Sequence, residues 1–498
     1  MSAMPPALLL RHLPELLRGF AADVPDLTIT DLAIDSRQVI SGGAFLACRG
    51  TQGHGLDYVD QALTRGAAVV LWEPVAGMEP PKAPVPLVAI EKLSEKAGLI
   101  ASRFFGDPSL KLACIGVTGT DGKTSTAYLL AQALEQLGQP CFYLGTLGSG
   151  RWQALRPGDH TTPDPVNLQR ILHRALADGC HSVSMEVSSH ALHQSRVAGV
   201  QFHTAILTNV GRDHLDYHGI LANYAEAKRR LFGFEGLQAR VFNRDDDCGA
   251  RWATEFDRAT VYGIDGAVPV DGNYLIARSP RLGADGLEFD VESRTDRGQV
   301  RSPLLGRFNV SNLLAALAAL LETGVPMADA CSALSAARTV PGRIEGFRGP
   351  AAAARVVVDY AHTPQALEQV LRAVRAHTDG KIWCVFGCGG DRDRGKRPLM
   401  GAAVARHADH AVVTDDNPRS ESPAAIVDEI LSGLSAGDRA AFQVIHDRAT
   451  AIRTALAAAT VGDTVVVAGK GHETTQTYGR EARPFSDRDV VRRLVGKE

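Results

Sequence analysis

The run Thr118-Gly-Thr-Asp-Gly-Lys-Thr-Ser125 carries the plainest chemistry in the chain. Gly119 and Gly122 allow backbone amides to close around phosphate oxygens, and a helix starting there adds its positive N-terminal end. Lys123 is placed to reach the β- and γ-phosphates of a nucleotide and Thr124 to bind Mg²⁺, with Thr120, Asp121 and Ser125 completing the loop. The spacing departs from the general Walker pattern, whose first glycine would fall at Val117. Further on stand an acid in Met185-Glu-Val-Ser-Ser-His, a histidine in Arg212-Asp-His-Leu-Asp-Tyr-His and a lysine in Ala227-Lys-Arg-Arg. Taken singly these have bland readings. Glu186 is then a solvated strand end, His214 and His218 are surface histidines, and Lys228 is a surface lysine on an amphipathic helix. Asp416-Asn-Pro-Arg419 alone reads as a turn, because Asn-Pro commonly starts one.

These residues need elements to hold them. The apolar run Leu112–Val117 predicts a strand entering the glycine loop. Ala127, Leu130, Ala131, Leu134 and Leu137 predict a helix leaving it, stopped at Gly138. Beyond residue 346, strands are predicted at Arg355–Asp359, Ile382–Phe386, Ala411–Thr414 and Thr464–Ala468, alternating with Ala- and Leu-rich helices. That alternation argues for a parallel, doubly wound sheet. A chain of 498 residues suggests about three α/β domains, read here as 1–93, 94–345 and 346–498. The first ends in the Pro-rich Glu79-Pro-Pro-Lys-Ala-Pro-Val-Pro, a linker or surface excursion, and the second opens with a helix.

Composition narrows the class. A net charge of -3 with 22% charged residues gives no reason to expect nucleic acid or an anionic membrane as partner. The first apolar stretch breaks at Arg11, and no run approaches the roughly 18 apolar residues of a membrane span, so neither secretion nor membrane insertion is expected. Eight scattered cysteines suggest buried, reduced thiols and a cytoplasmic protein, expected as a monomer. Cys384 and Cys388 lack the second pair that a zinc site needs.

Taken together, the motifs resemble those of the Mur ligases in order and spacing over nearly the whole chain. The compact loop Gly119-Thr-Asp-Gly-Lys-Thr124 is similar to that family's, shared with folylpolyglutamate synthetases, with Asp121 where asparagine is usual. The resemblance implies three domains: a mixed α/β UDP-binding domain, a central P-loop ATPase-like domain and a C-terminal Rossmann-like domain. It implies Mg²⁺ on Thr124, Glu186 and a carbamylated Lys228, with His214 near the metals and the γ-phosphate. Leu305-Gly-Arg-Phe-Asn-Val-Ser-Asn312 resembles the adenine-contacting motif, carried by Asn309 and Asn312. Arg343 in Pro341-Gly-Arg-Ile-Glu would meet ATP phosphates and Asp359 in Asp359-Tyr-Ala-His-Thr-Pro the ribose. Asp35-Ser-Arg-Gln and Thr51-Gln-Gly53 resemble UDP-sugar contacts through Ser36, Thr51, Gln52 and Gly53. Thr161, Thr162, Ser188, Gln194 and Arg196 would hold the muramoyl peptide.

Asp416-Asn417-Pro418-Arg419 resembles the diaminopimelate-recognising motif, with Arg392, Gly469 and Glu473 completing the pocket. The implied reaction is ATP-dependent ligation of meso-diaminopimelate to the D-Glu γ-carboxylate of UDP-MurNAc-L-Ala-D-Glu, in peptidoglycan precursor synthesis. The residue types suit it. Activating a carboxylate as an acyl phosphate brings several anions together, and Mg²⁺ with hard oxygen ligands relieves their repulsion. A plain lysine has no acceptor for a metal, whereas its carbamate does. Arg419 can take the distal carboxylate bidentately, and Asp416 or Glu473 the distal ammonium. A lysine substrate would leave Arg419 unpaired. Other readings fare worse. Gly387-Cys-Gly-Gly lacks the third glycine of a dinucleotide fingerprint, since Arg392 stands there. A folylpolyglutamate synthetase should lack the UDP-type domain and Asp416–Arg419, and a nucleotide-binding regulator needs no second-substrate pocket.

Overall fold

The protein is described from a computed structural model covering residues 9–51, 53–268, 271–349 and 353–496. Two compact units emerge. The first runs to Gly263 and takes in Val268–Leu275 and Leu314–Ala330; the second holds Ile264–Ala267, Ile276–Leu313 and the chain from Cys331 onward.

Within the first unit, a four-stranded parallel sheet runs in the order Leu32–Ala33, Ala44–Ala47, Val69–Trp72, Leu87–Ala89. Helix Leu93–Phe104 buries Leu93, Ala97, Ile100, Ala101 and Phe104 in the same core as Leu32, Leu46 and Leu71. The helix expected to open the second region therefore packs with the first sheet. The Pro-rich stretch is the loop into strand Leu87–Ala89, a surface excursion inside that fold.

A larger sheet of the same unit carries the glycine loop. Its neighbours run Ala239–Asn243, Phe202–Leu207, Ala113–Thr118, Ser182–Glu186 and Cys141–Gly145, all parallel, followed by antiparallel Gly148–Arg151. Both faces of Ala113–Thr118 are covered, which explains its unbroken apolar run. Register decides what its end can do. Val117 pairs with Glu186 and Thr118 with Leu207, so three carboxyl ends finish level. That edge of a parallel sheet is where ligands bind in open α/β folds. Helix Lys123–Gln136 follows the loop, and Gly138 adopts φ +73° just beyond its cap, as the sequence suggests. The helix is buried from Thr126 through Leu134, far more than the single apolar face predicted, because it is packed inside the unit rather than laid on its surface.

In the second unit six strands run Glu345–Phe347, Arg355–Asp359, Thr464–Ala468, Ile382–Phe386, His410–Val413, Phe442–Val444, with only the first pairing antiparallel. The four predicted strands are present to within one residue, the third as His410–Val413. All eight cysteines are free thiols, six buried and two half-buried. Among the described residues no helix is long and apolar enough to cross a membrane.

Candidate active site

The glycine loop is tied down by the neighbouring strand end. Thr208 Oγ1 donates to the Asp121 carbonyl (2.6 Å), and Asn209 Oδ1 accepts the Asp121 amide (3.0 Å). Gly119 is at φ +152°, and a Cβ there would overlap the Thr208 hydroxyl, so only glycine fits. Thr120 Oγ1 accepts the Gly211 amide (2.8 Å) and lies 3.2 Å from the Tyr224 hydroxyl. The Asp121 side chain is exposed and Ser125 sits half-buried in the first helical turn. Lys123 Nζ donates to the carbonyls of Gly119 and Thr120, both at 2.8 Å. The ammonium folds back on its own loop, and bound phosphate oxygens would replace those carbonyls.

Glu186 is fully buried, with both oxygens engaged. Oε1 accepts from the Tyr143 hydroxyl (2.7 Å) and the Thr146 amide (2.8 Å), while Oε2 accepts from Thr124 Oγ1 (2.8 Å). Two hard oxygens therefore meet beside the loop, a donor set that fits Mg²⁺. Among the described residues no cluster of three or more His, Cys, Asp or Glu forms a metal site by itself. Lys228 is 1% exposed, and its Nζ donates to the same Gly119 carbonyl that Lys123 uses (2.7 Å). Burial, then the neighbouring Lys123 charge, pushes its pKa down to about 6. Its amine is therefore largely neutral at pH 7 to 8, which a surface lysine is not.

His214 starts the short helix Leu215–His218 at φ +51°, its ring 4.9 Å from His190 and its Nε2 3.4 Å from Asp213. His218 is buried against Ser189 Oγ (3.1 Å), and desolvation with neighbouring histidines pushes it down to about 4.

A cleft of about 980 Å³ opens in the same unit, lined among others by Asp35, Arg37, Thr51, His160, Asp164, Asn167, Gln194, Arg196 and Tyr217. Of the residues predicted to hold the acceptor, Thr51, Gln194 and Arg196 line it. Gln194 Oε1 accepts two bonds from Arg196, at 2.9 and 2.7 Å. Four of the other candidates already have hydrogen-bond partners within the protein. Ser36 is buried on Gln61 (2.6 Å), and Thr161 pairs with Thr146 (3.0 Å). Thr162 bonds the Glu186 carbonyl (2.9 Å) and the Ser188 amide (3.1 Å), while the Ser188 hydroxyl caps helix Ser189–His193. Gly53 is exposed and Gln52 lies outside the described residues. Sequence reasoning missed Asp35, Arg37, Asp164, Asn167 and Tyr217. Asp35 and Arg37 flank Ser36, and their opposite charges two residues apart were the only local hint.

The remaining predicted residues belong to the second unit. Asn309 Nδ2 donates to the Leu305 carbonyl (2.8 Å), and Asn312 Nδ2 to Asn309 Oδ1 (2.9 Å). Asp359 receives the Ile344 and Ala361 amides at 2.7 Å each, and burial raises its pKa. Arg343 is exposed, 5.2 Å from the Tyr360 ring centre. Arg392, Asp416–Arg419, and Gly469 with Glu473 follow the ends of strands Ile382–Phe386, His410–Val413 and Thr464–Ala468 respectively. Arg419 Nη1 donates to the Gly390 carbonyl (2.7 Å), which joins two of these loops. Asn417 Nδ2 donates to Glu473 Oε2 (3.0 Å), joining the third. Pro418 is buried; Arg392 is exposed. Gly469 is at φ +122°, and a Cβ there would press on Asp416 Oδ2 at 2.5 Å.

Known proteins resemble this chain along nearly its whole length. Three family models match in succession: the Mur ligase family catalytic domain over residues 28–105, the Mur ligase middle domain over 117–320 and the Mur ligase glutamate ligase domain over 342–471. The chain is 48% identical over 493 residues to the UDP-N-acetylmuramoyl-L-alanyl-D-glutamate--2,6-diaminopimelate ligase of Alkalilimnicola ehrlichii, covering 96% of each. It is 46% identical over 470 residues to the protein of that name from Pseudomonas aeruginosa, covering 94% of this chain and 96% of the relative. A solved structure of a ligase with the same name superposes with a TM-score of 0.76 at 35% identity, covering 98% of this chain and 99% of the other.

Proposed function

The chain belongs to the Mur ligase family, and from that premise we propose that it joins meso-diaminopimelate to the D-Glu γ-carboxylate of UDP-MurNAc-L-Ala-D-Glu, using ATP and forming ADP and phosphate. The observation that carries the choice of amino acid is the arrangement of Arg419 and Glu473 on loops pinned together at the sheet edge. A cation and an anion there suit a second amino-acid head, carboxylate to Arg419 and ammonium to Glu473. The boundaries given above, with the first moved past helix Leu93–Phe104, a monomeric state and a cytoplasmic location are part of this reading.

In it, ATP phosphates take over Lys123 from the Gly119 and Thr120 carbonyls, and the γ-phosphoryl group passes to the D-Glu carboxylate. Lys123, His214 and Arg343 balance the charge that develops, while Asn309, Asn312 and Asp359 hold the nucleoside. Mg²⁺ held by Thr124, Glu186 and carbamylated Lys228 would neutralise phosphate and carboxylate oxygens. The diaminopimelate amine then attacks the acyl phosphate, and phosphate leaves as the amide forms. Gln194 and Arg196, lining the acceptor cleft, orient the muramoyl peptide.

The test is phosphate release from ATP with the UDP-linked dipeptide and either meso-diaminopimelate, L-lysine or no amino acid. Release that depends on diaminopimelate is expected. Release only with lysine would refute the reading of Asp416–Arg419, and release with neither would refute the acceptor.

Two further outcomes follow. Neutral Lys228 can react with CO₂ to give a carbamate and a proton, so labelled CO₂ should be retained by the protein and not by Lys228→Ala. The sign is set by the amine: below about pH 6 it is protonated, so labelling and activity should both fall as pH drops through that value. Tyr143→Phe removes one donor from Glu186 Oε1. It is expected to raise the Mg²⁺ concentration for half-maximal rate about 10- to 100-fold, measured by Mg²⁺ titration.

A further inference from the structure

The loop Gly469-Lys-Gly-His-Glu473 holds a lysine to which neither the reaction nor the predicted pocket gives a role. The Lys470 side chain is wholly buried, and its Nζ donates to Glu473 Oε2 (2.8 Å) and Asn417 Oδ1 (3.1 Å). The Thr477 amide donates to the same Asn417 Oδ1 (2.9 Å), while Asn417 Nδ2 faces Glu473 Oε2 (3.0 Å). The amide therefore has one orientation: its oxygen meets two donors and its nitrogen meets a carboxylate. Glu473 has its Oε2 filled by two donors, whereas its side chain keeps 31% exposure. A buried ammonium is costly and persists only when paired and hydrogen-bonded. Here both of its bonds go to residues of the amino-acid pocket rather than to the core.

Resting on the amino-acid site proposed above, we infer that Lys470 is a positioning residue for the incoming amino acid. By clamping Glu473 Oε2 and Asn417 Oδ1, it leaves Glu473 Oε1 as the oxygen presented to the distal ammonium. Without the clamp Glu473 can rotate and Asn417 can flip, and the ammonium loses a preorganised acceptor. Burial opposes ionisation of Glu473, and the Lys470 and Asn417 bonds hold its pKa below the usual carboxylate value.

The experiment is steady-state kinetics of the full-length enzyme, varying meso-diaminopimelate, ATP and the UDP-linked dipeptide in turn. Lys470→Met is expected to raise KM for diaminopimelate roughly 10- to 100-fold, the size of a lost bond to a charged group, and to leave the other two KM values within about twofold. Glu473→Gln should raise the same KM, and the double variant should be no worse than the worse single one, because both act on one contact. Should Lys470→Met fail to fold, Lys470→Gln, uncharged and one atom shorter, serves in its place. An unchanged diaminopimelate KM, losses spread evenly over all three substrates, or additive effects in the double variant would each overturn the inference. Absence of diaminopimelate-dependent release in the unmodified enzyme would instead overturn the substrate reading beneath it.

Discussion

Arg419→Ala is expected to lower kcat/KM for meso-diaminopimelate about 1,000-fold, near 4 kcal/mol, because two charge-assisted hydrogen bonds to one carboxylate are lost together. The loop should survive the change. The Arg419 amide donates to the Thr477 carbonyl (3.1 Å) and its own carbonyl accepts from the Gly479 amide (2.7 Å), so backbone bonds hold the segment without the side chain. Arg419 sits at φ +50°, a left-handed conformation that any L-residue replacing it shares. Arg419→Lys should recover little, since a point charge cannot reproduce the planar fork. The turnover of L-lysine, which has no distal carboxylate, should be nearly indifferent to the substitution. Phosphate release at varied amino acid reads all three. A fall below tenfold for diaminopimelate would remove Arg419 from the carboxylate, and an equal fall for lysine would mean that the pocket, not one contact, was damaged.

Lys123→Ala is expected to lower kcat by about 1,000-fold or more, the scale of losing a principal cation from a phosphoryl-transfer site. The fold should not suffer. Burial depresses the Lys123 pKa, and its resting partners are two carbonyls of its own loop, so removing the ammonium also removes a buried charge. Thermal unfolding should therefore shift little, while ATP-dependent phosphate release nearly vanishes. The UDP-linked dipeptide should still bind, because the cleft proposed for it is lined by Arg37, Gln194, Arg196 and Tyr217 and not by Lys123. A variant with near-normal kcat would refute the assignment of the loop to phosphoryl transfer. A collapse in melting temperature would show Lys123 to be a structural cation.

Lys123 follows from a contiguous pattern with a stated mechanism, whereas Arg419 gains its role from neighbours on other loops. Lys228 is the extreme case. Its bond to the Gly119 carbonyl spans 109 residues of sequence, and that placement buries it, whereas Arg229 is half-buried and Arg230 exposed beside it.

The sequence by itself determined the glycine loop, the helix after it, the four strands of the second half and the order of the motifs. Those features depend on what a short segment settles alone: glycine's φ freedom at 119 and 122, the apolar run into Thr118, the β-branched runs ending at Asp359 and Ala468. Tertiary structure decided the rest. It put helix Leu93–Phe104 with the first sheet, and bonded Ser36 to Gln61, Thr162 to the Glu186 carbonyl and Ser188 to the amide of Ala191. It opened the cleft onto Asp35, Asn167 and Tyr217, caged Glu186 with Tyr143 and Thr146, and buried Lys228 and Lys470. The physical reason is common to all of these. Desolvation and charge pairing depend on which distant strand ends the sheet register brings level, as Glu186 with Val117 and Leu207 with Thr118, and no local stretch of sequence encodes that alignment.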